Sequence, residues 1–314
     1  MMRPVLVLMR PLPFPSLRAN GEEIEVRQFQ GDFRLFQGAT VLCSTVLDVL
    51  DASFIAAIPD SIKLIANLGT GYDNIDLVAA TARGIRVTNT PVVAEDTADL
   101  TFLLILASAR QLTANQSFLR TGLWAATQQP TQIGKTVHGT TLGIIGFGAI
   151  GQAVARRAKS FNMNVIYHGP RRKPAAEERV GATYFKTLED MLATADIVSL
   201  HCPLTAQTKH IINTQTLKAM RSDAVLVNAG RGALIDEAAL VDAMQGGHLS
   251  AAGLDVFEHE PVVHSGLLEL DNVTLAPHIG GATTQCHAAI GACAIENILA
   301  QFEGRELISC VNPH

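Results

Sequence analysis

Short runs of hydrophobic residues alternate with longer stretches of helical periodicity along almost the whole chain. Short apolar runs are typical of strands buried in a parallel sheet, and apolar positions three or four residues apart are typical of helices. The alternation therefore predicts an α/β protein with parallel strands. The predicted strands are 5–9, 25–29, 41–44, 64–67 and 85–88, followed by 141–145, 164–167, 197–200, 224–228, 252–256 and 273–276.

Two longer segments have helical patterns, one at about 95–120 and one at about 283–302. The first contains the most apolar segment of the chain, LTFLLILASA, which is far too short to span a bilayer and is predicted to be a buried helix. The segment 121–138 is rich in Thr, Gln and Gly and is predicted to connect to a second domain.

Composition and charge narrow the class of protein. The chain has 314 residues, of which 48% are hydrophobic, enough for two domains with sizeable cores. A net charge of -5 argues against nucleic acid or an anionic membrane as the main partner, because both need a clustered basic face. Five scattered cysteines without a CxxC pair predict a reducing compartment, no disulfide framework and no metal site. The N-terminal apolar run is too short for a signal peptide, so we expect a cytoplasmic protein.

The glycine-rich segment GFGAIG follows the apolar strand LGII and opens a helical pattern. In that context the spacing predicts a dinucleotide-binding turn. Gly146 allows the tight turn, Gly148 lets the backbone approach a pyrophosphate, and Gly151 lets the helix pack close to the strand. Free N–H groups near Ala149 and Ile150 would then face the phosphates. A glycine-rich turn without a ligand is the alternative.

The next predicted strand ends in HGPRRK, where an NAD-selective domain carries an acidic residue. Gly169 removes the carboxylate that would repel a 2′-phosphate. Arg171 and Arg172 offer permanently charged, planar guanidinium groups to that phosphate, and Lys173 adds charge. The stretch predicts a preference for NADP(H), although the fold also accepts NAD(H). A solvated basic loop on an NAD enzyme is the alternative.

Three later strands each precede a residue suited to catalysis: Arg231, Glu260 and His278. In an open parallel sheet, ligands bind at the carboxyl ends of the strands. Each residue alone has an ordinary explanation, as a surface ion-pair partner, a loop charge or a residue leading into a helix. Together they predict a catalytic site beside the dinucleotide.

Several segments, spread in order along most of the chain, match one family pattern: NLGTGYDNIDL (67–77), VTNTPVVAEDTADLTFLLIL (87–106), GTTLGIIGFGAIGQ (139–152), HCPLTAQTKHIIN (201–213), NAGRGALIDEAAL (228–240), AAGLDVFEHEP (251–261) and LAPHIGGAT (275–283). With these segments the chain resembles the D-isomer-specific 2-hydroxyacid dehydrogenase family. The YHG stretch followed by basic residues is similar to the NADPH-preferring glyoxylate/hydroxypyruvate reductases of that family. The chain departs from the family pattern at Ala149, where arginine is common, and keeps only Trp124 of the aromatic residues usual in 121–138.

The resemblance implies a fold of two doubly wound parallel-sheet domains with a cleft between them. Residues 1–96 with 283–314 would form a discontinuous, flavodoxin-like substrate domain, and 97–282 a Rossmann cofactor domain. Two helices would cross between the domains, and the cleft would close on the substrate. The family is usually dimeric, so the resemblance also implies a homodimer with the apolar helix and 121–138 at its interface.

The implied activity is the NAD(P)-dependent reduction of a small 2-keto acid, glyoxylate or hydroxypyruvate, to the D-2-hydroxy acid (EC 1.1.1 class). Arg231 would bind the substrate carboxylate and polarise the ketone oxygen, and His278 would protonate that oxygen as general acid. Glu260 would keep His278 charged and oriented.

Further contacts are expected with the substrate and the cofactor. The loop LGTGYD resembles the family's carboxylate cradle, with donors near Leu68, Thr70 and Gly71, although a plain strand-to-helix turn is the alternative. The cofactor contacts expected beyond the glycine turn and the basic stretch are Pro203, Thr208, Asn228, Ala229, Asp255 and Gly280.

Two other functions stay open from the sequence. A reductase for a bulkier keto acid, such as phenylpyruvate or 2-ketogluconate, would use the same residues, because pocket size is not fixed by sequence. A dinucleotide-sensing binding module related to the transcriptional corepressors would be favoured by a broken catalytic trio, which here is intact. Formate dehydrogenases of the superfamily carry Gln where this chain has Glu260.

Overall fold

The computed structural model describes residues 3–129 and 132–312. This part of the chain folds into two compact units, one formed by the residues up to Val93 together with those from Thr283, the other by Ala94–Ala282. The predicted division at residue 96 falls within the first turn of the helix that opens the second unit. The predicted outer limits, 1 and 314, and residues 130–131 of the predicted connector lie outside the described residues.

The first unit is built on a parallel sheet, described here for residues 3–93, with the order β4-β1-β5-β6-β7. Its strands are β1 (Val5–Leu8), β2 (Arg18–Ala19), β3 (Glu22–Glu23), β4 (Glu25–Gln28), β5 (Val41–Thr45), β6 (Leu64–Leu68) and β7 (Arg86–Thr88), and β2 and β3 form a separate antiparallel hairpin. Its helices are α1 (Ala52–Ala57), α2 (Leu77–Ala82) and the final helix, Thr284–Glu303, with a short 3₁₀ helix at Phe33–Phe36.

Both faces of this first sheet are buried. Leu42 and Ile65 belong to the cluster on one face, whereas Val41 and Leu64 belong to the cluster on the other face, together with Ile298 of the final helix. A strand with two covered faces needs apolar residues at successive positions. This explains why the strands appear in the sequence as continuous hydrophobic runs.

The second unit contains a parallel sheet with the order β10-β9-β8-β11-β12-β13-β14 in the described chain. Its strands are β8 (Thr141–Ile145), β9 (Asn164–His168), β10 (Ala182–Phe185), β11 (Ile197–Leu200), β12 (Val225–Asn228), β13 (Ala251–Leu254) and β14 (Val273–Leu275). The helices are α3 (Ala94–Ala109), α4 (Leu112–Arg120), α5 (Leu123–Thr127), α6 (Ala149–Ser160), α7 (Pro174–Val180), α8 (Leu188–Thr194), α9 (Thr214–Ala219), α10 (Glu237–Gln245) and α11 (Ser265–Leu268), with a 3₁₀ turn at Gly232–Leu234. The strand order reverses between β8 and β11, which is the switch point where doubly wound folds bind ligands. The predicted α/β class with parallel sheets is confirmed.

The helix predicted over 95–120 is wrong in one respect, because the structure divides it into α3 and α4. The break lies at Gln111, whose φ of 51° is left-handed and cannot continue a helix. The Gln111 amide donates a hydrogen bond of 3.0 Å to the carbonyl of Ser250, which holds the turn against the sheet. Apolar periodicity continued through this turn, so the sequence pattern gave no stop signal.

Strand β10 was not predicted from the sequence. Its residues, ATYF, run from buried to exposed and partly buried, because β10 lies at the edge of the sheet and, in the described chain, pairs with β9 alone. A half-covered strand lacks the continuous apolar run that marked the others. The predicted connector 121–138 contains the short helix α5. No helix in the described part of the chain is both long enough and apolar enough to cross a membrane.

Candidate active site

Arg231, Glu260 and His278 follow three neighbouring strands, β12, β13 and β14, as their positions in the sequence predicted. The turns after β12 and β13 touch through their backbones. A Cβ atom at Gly232 would lie 1.8 Å from the carbonyl carbon of Phe257, so only glycine fits at that position. This close approach brings the turn that carries Arg231 beside the segment that carries Glu260.

His278 and Glu260 form a direct pair. The Nδ1 atom of His278 lies 2.7 Å from Oε2 of Glu260, and the other carboxylate oxygen accepts a hydrogen bond of 2.9 Å from the backbone N–H of Phe257. The hydrogen bond to Glu260 raises the pKa of His278 above its ordinary value, against the opposing effect of burial. Burial raises the pKa of Glu260, but the bonds from His278 and Phe257 outweigh it and leave that pKa lowered. With Nδ1 held by the carboxylate, the Nε2 side of the ring is the side available for proton transfer.

The backbone at His278 is held in an unusual conformation by Asp255. His278 has a φ of 52°, and its N–H donates to the Asp255 carbonyl at 2.7 Å. The Asp255 carboxylate, with a residue exposure of 1%, accepts bonds from the N–H groups of Ile279 (2.7 Å) and Gly280 (2.8 Å). Burial raises the pKa of this carboxyl, while the two N–H donors act in the opposite direction. Asp255 therefore fixes the turn that presents His278.

Asn228 plays a comparable part for Arg231. It is fully buried, its amide nitrogen donates to the carbonyl of Arg231 at 2.8 Å, and its amide oxygen accepts from the N–H of Gly230 at 3.0 Å. The Arg231 guanidinium donates to the Gly230 carbonyl at 2.9 Å. Its positive charge lowers the pKa of Glu260 and opposes the rise in the pKa of His278, so the three charges influence one another.

The glycine turn lies between β8 and α6, as predicted. Gly146 has a φ of 93°, and a Cβ there would lie 2.3 Å from the backbone nitrogen of Cys202. A Cβ at Gly151 would lie 2.3 Å from the Gly146 carbonyl oxygen, whereas one at Gly148 would meet no atom within 4 Å. In the described chain the N–H groups of Ala149 and Ile150 have no acceptor, and the N-cap Gly148 provides no side chain. The turn thus presents open space and unpaired donors, which suit a pyrophosphate.

The two arginines after β9 differ in their surroundings. Arg172 pairs with Glu177 through Nε and Nη2, with a shortest distance of 2.8 Å, and its side chain is 64% exposed. Arg171 is exposed and has no hydrogen-bond or ion-pair partner among the described residues. A Cβ at Gly169 would meet nothing within 4 Å, so the position predicted to accommodate a 2′-phosphate is open.

The remaining predicted cofactor contacts lie near the switch point or in the turns after it. Pro203 and Thr208 follow β11, and the Thr208 hydroxyl donates to the Pro203 carbonyl at 2.6 Å. Ala229 is buried in the turn after β12. The Nε2 atom of His201 lies 2.8 Å from the Ser199 hydroxyl, and burial lowers the pKa of this histidine to about 3.

In the first unit, the loop after β6 has the properties of an anion cradle. Gly69 has a φ of 149°, and a Cβ there would lie 2.2 Å from Cγ1 of Val46. The loop is anchored by Thr90, whose hydroxyl accepts from the Gly69 N–H at 2.9 Å. Within the described residues, the N–H groups of Thr70 and Gly71 have no acceptor. Leu68 ends β6 and packs, partly buried, against the hydrophobic cluster on one face of the sheet.

Metal and disulfide chemistry find no support in the described residues. The five cysteines are free thiols, and no group of three or more His, Cys, Asp or Glu side chains there is placed to hold a metal ion.

Comparison with known proteins agrees with this geometry. Residues 102–280 match the family model described as D-isomer specific 2-hydroxyacid dehydrogenase, NAD binding domain, which is more than half of the chain. A glyoxylate reductase of Thermococcus litoralis is 45% identical over 276 residues, covering 86% of this chain and 83% of the relative. Glyoxylate/hydroxypyruvate reductase B of Escherichia coli is 38% identical and covers 100% of this chain and 99% of its own.

Solved structures give the same result. The NADPH-dependent glyoxylate/hydroxypyruvate reductase of Sinorhizobium meliloti, crystallised with NADP and malonate, aligns with a TM-score of 0.87 at 34% identity, covering 98% of this chain and 97% of that chain. The chain therefore belongs to the D-isomer-specific 2-hydroxyacid dehydrogenases. It is an oxidoreductase that uses a nicotinamide dinucleotide and interconverts a 2-keto acid and a 2-hydroxy acid.

Proposed function

We propose that this enzyme reduces a small 2-keto acid, glyoxylate or hydroxypyruvate, with NADPH as the preferred cofactor and the D-2-hydroxy acid as product. The observation that carries the proposal is the His278–Glu260 pair beside Arg231, all three at the carboxyl ends of neighbouring strands. The named activities of the Thermococcus and Escherichia relatives support the substrate class.

The glycine turn fits a dinucleotide. Its open space at Gly148 and the unpaired N–H groups of Ala149 and Ile150 suit a pyrophosphate, and Gly151 allows the close packing of α6 that aims those donors. When bound, the cofactor supplies a hydride to the substrate carbon. Pro203, Thr208, Asn228, Ala229, Asp255 and Gly280 are proposed as further contacts with it.

Arg231 is proposed to bind the substrate carboxylate and to polarise the ketone oxygen. A guanidinium group offers several N–H donors in one plane, so it can contact both groups at once. Its permanent charge stabilises the negative charge that develops on the oxygen during reduction. Because Asn228 holds the backbone of this turn, the side chain of Arg231 extends from a fixed backbone position.

His278 is proposed to act as general acid for reduction. The proton must be delivered to the oxygen as charge develops there. A histidine with a raised pKa is protonated at neutral pH more often than an ordinary histidine. Glu260 accepts from Nδ1 and so orients the ring and leaves Nε2 as the donor. The same arrangement allows the reverse reaction, in which neutral His278 takes the proton from the hydroxyl group of the 2-hydroxy acid.

The basic loop supports the preference for NADPH. Gly169 presents no carboxylate and leaves space, and Arg171 and Arg172 place two permanent positive charges beside it. The related reductase from Sinorhizobium meliloti is described as NADPH-dependent and was crystallised with NADP. In the first unit, Leu68, Thr70 and Gly71 are proposed to bind the substrate carboxylate, supported by the unpaired N–H groups of the last two.

A spectrophotometric assay tests the proposal directly. The purified protein is mixed with glyoxylate, hydroxypyruvate, pyruvate or phenylpyruvate, each with NADPH and with NADH. We expect NADPH oxidation that is fastest with glyoxylate or hydroxypyruvate. A faster rate with phenylpyruvate would contradict the substrate assignment, and a lower KM for NADH than for NADPH would contradict the cofactor assignment.

A further inference from the structure

A buried tyrosine lies beneath the basic loop. Tyr167, the last residue but one of β9, has a residue exposure of 0%, although it carries a hydroxyl. That hydroxyl donates to Oε1 of Glu177 at 2.7 Å and accepts from the backbone N–H of Lys173, also at 2.7 Å. Burial and the bond to Glu177 raise its pKa to about 12, so the hydroxyl keeps its proton at any physiological pH. The loop 168–173 is therefore tied to the core at its far end by one side chain.

Glu177 connects Tyr167 to Arg172. Its carboxylate, on α7, accepts the hydrogen bond from the tyrosine hydroxyl and pairs with Nε and Nη2 of Arg172. The side chain of Glu177 is only 10% exposed, whereas that of Arg172 is 64% exposed. One edge of the guanidinium is thus held by a nearly buried carboxylate. In the described residues its Nη1 atom has no partner, so a second edge stays available.

The same tyrosine contacts the glycine turn. Its ring stacks on Phe147, the second residue of GFGAIG, with ring centroids 4.1 Å apart and an angle of 15° between the planes. Phe147 is 3% exposed. The turn proposed for the pyrophosphate and the loop proposed for the 2′-phosphate therefore share one support.

We propose that Tyr167 and Glu177 are positioning residues that determine cofactor selectivity, by holding Arg172 so that its second edge receives the 2′-phosphate of NADP(H). The inference rests on the proposed NADPH preference. A guanidinium that is already fixed loses less side-chain freedom on binding than a free one. The arrangement also requires arginine, because a lysine ammonium has no two edges to share between a carboxylate and a phosphate.

The experiment measures Kd for NADP⁺ and for NAD⁺ by calorimetry, without any keto acid, so that the identity of the substrate does not enter. In Tyr167→Phe the ring and its stacking remain, but the hydroxyl is lost. We expect Kd for NADP⁺ to rise about fivefold, as for loss of a buried hydrogen bond, with Kd for NAD⁺ unchanged. Tyr184→Phe is the matched control: its hydroxyl supports the same loop by donating to the Gly169 carbonyl at 3.2 Å, but among the described residues it has no bond to Glu177 or Arg172. It should change neither constant by more than about twofold.

A double-mutant cycle separates positioning from general support. If Tyr167 acts through Arg172, then Tyr167→Phe has no further effect on NADP⁺ binding in an Arg172→Ala background. Additive effects, or equal weakening of NAD⁺, would show a merely structural role and overturn the inference.

Arg172→Lys provides a second test that does not disturb the core, because the side chain is exposed. It keeps the charge but loses the two-edged geometry, and we expect it to bind NADP⁺ as weakly as Arg172→Ala. Retention of the wild-type Kd by Arg172→Lys would overturn the inference and leave the NADPH preference intact. Equal Kd values for NADP⁺ and NAD⁺ in the unmodified protein would overturn both proposals.

Discussion

The turn after β14 and the loop after β9 both present a charged side chain at the carboxyl end of a strand, but they hold it in different ways. At His278 the reacting ring itself is bonded to Glu260, and the backbone beneath it is fixed by the buried Asp255. At the basic loop, the exposed side chain of Arg172 is held by the nearly buried carboxylate of Glu177, and Arg171 has no partner in the described chain.

The difference follows from what each group must do. A general acid has to deliver a proton over a distance of a hydrogen bond, so a small displacement costs a large factor in rate. A cation that recognises a phosphate takes no part in the bond-making step, so misplacing it weakens cofactor binding rather than the reaction itself. We therefore expect changes near His278 to affect the rate, and changes near the arginines to affect cofactor affinity.

The largest effects are expected at the reacting groups. His278→Ala should lower kcat by about 10²- to 10⁴-fold, the usual contribution of general acid catalysis, with cofactor Kd little changed. Arg231→Ala should lower kcat/KM for the keto acid by at least about 10²- to 10³-fold, because it removes both a substrate contact and the charge that stabilises the oxygen. Steady-state kinetics with NADPH measures both.

The control for these variants is His259→Ala, an exposed histidine next to Glu260. It should leave kcat unchanged. Wild-type activity in either His278→Ala or Arg231→Ala would contradict the assigned catalytic roles.

The arginines should give the opposite pattern. Replacing both Arg171 and Arg172 with alanine should raise KM for NADPH by about 10- to 100-fold, since charge-assisted hydrogen bonds to a phosphate are lost. KM for NADH and kcat should change little. Lys186→Ala, at an exposed cation after the neighbouring strand β10, controls for the general effect of removing positive charge. An equal rise in KM for both cofactors would refute a contact with the 2′-phosphate.

Asp255→Asn should weaken the support of His278. An amide nitrogen would replace one of the oxygens that accept from Ile279 and Gly280, leaving an N–H donor facing another donor. We expect the free energy of unfolding to fall by about 1–3 kcal/mol, the cost of an unsatisfied buried group, and kcat to fall with it. Urea denaturation measures the stability. Asp271→Asn, at an exposed position, should have no effect. A similar loss of stability in that variant would show that removing any negative charge destabilises the protein, whether or not it lies in this turn.

The smallest effect concerns pH. Reduction needs protonated His278, whose raised pKa keeps kcat/KM high up to that pKa and lets it fall as the pH rises further. Glu260→Gln removes the main cause of the raised pKa, so the falling limb should move to lower pH. Glu258→Gln is the matched control, because that carboxylate pairs with His210 at 2.6 Å instead. A pH profile measured with NADPH in which Glu260→Gln leaves the limb in place would separate Glu260 from the protonation of His278.

The same pair links pH to stability. The raised pKa of His278 contributes stability that is complete below its unfolded pKa and is lost as the pH rises through the folded pKa. The lowered pKa of Glu260 contributes stability that is present above its unfolded pKa and is lost as the pH falls through the folded pKa. The pair is thus most stabilising in the window where both groups are charged.

The sequence was sufficient for features that depend on local pattern and on one general rule of sheets. Short apolar runs that alternate with helical patterns predicted parallel strands, because both faces of each sheet are covered. Arg231, Glu260 and His278 could be assigned to one site because parallel strands bring their carboxyl ends to one edge. Three glycines at the required spacing predicted a turn in which two positions have no room for a Cβ.

The tertiary structure decided what depends on contacts between distant residues. The sequence suggested Asp255 as a contact for the cofactor, but it did not reveal that both carboxylate oxygens accept from the N–H groups of Ile279 and Gly280, beyond the next strand. Tyr167 was part of the YHG stretch in the sequence, but only the structure places its hydroxyl between Lys173 and Glu177. Hydrogen-bond partners of this kind depend on how strands, turns and helices pack against one another. The spacing of hydrophobic residues does not specify that packing.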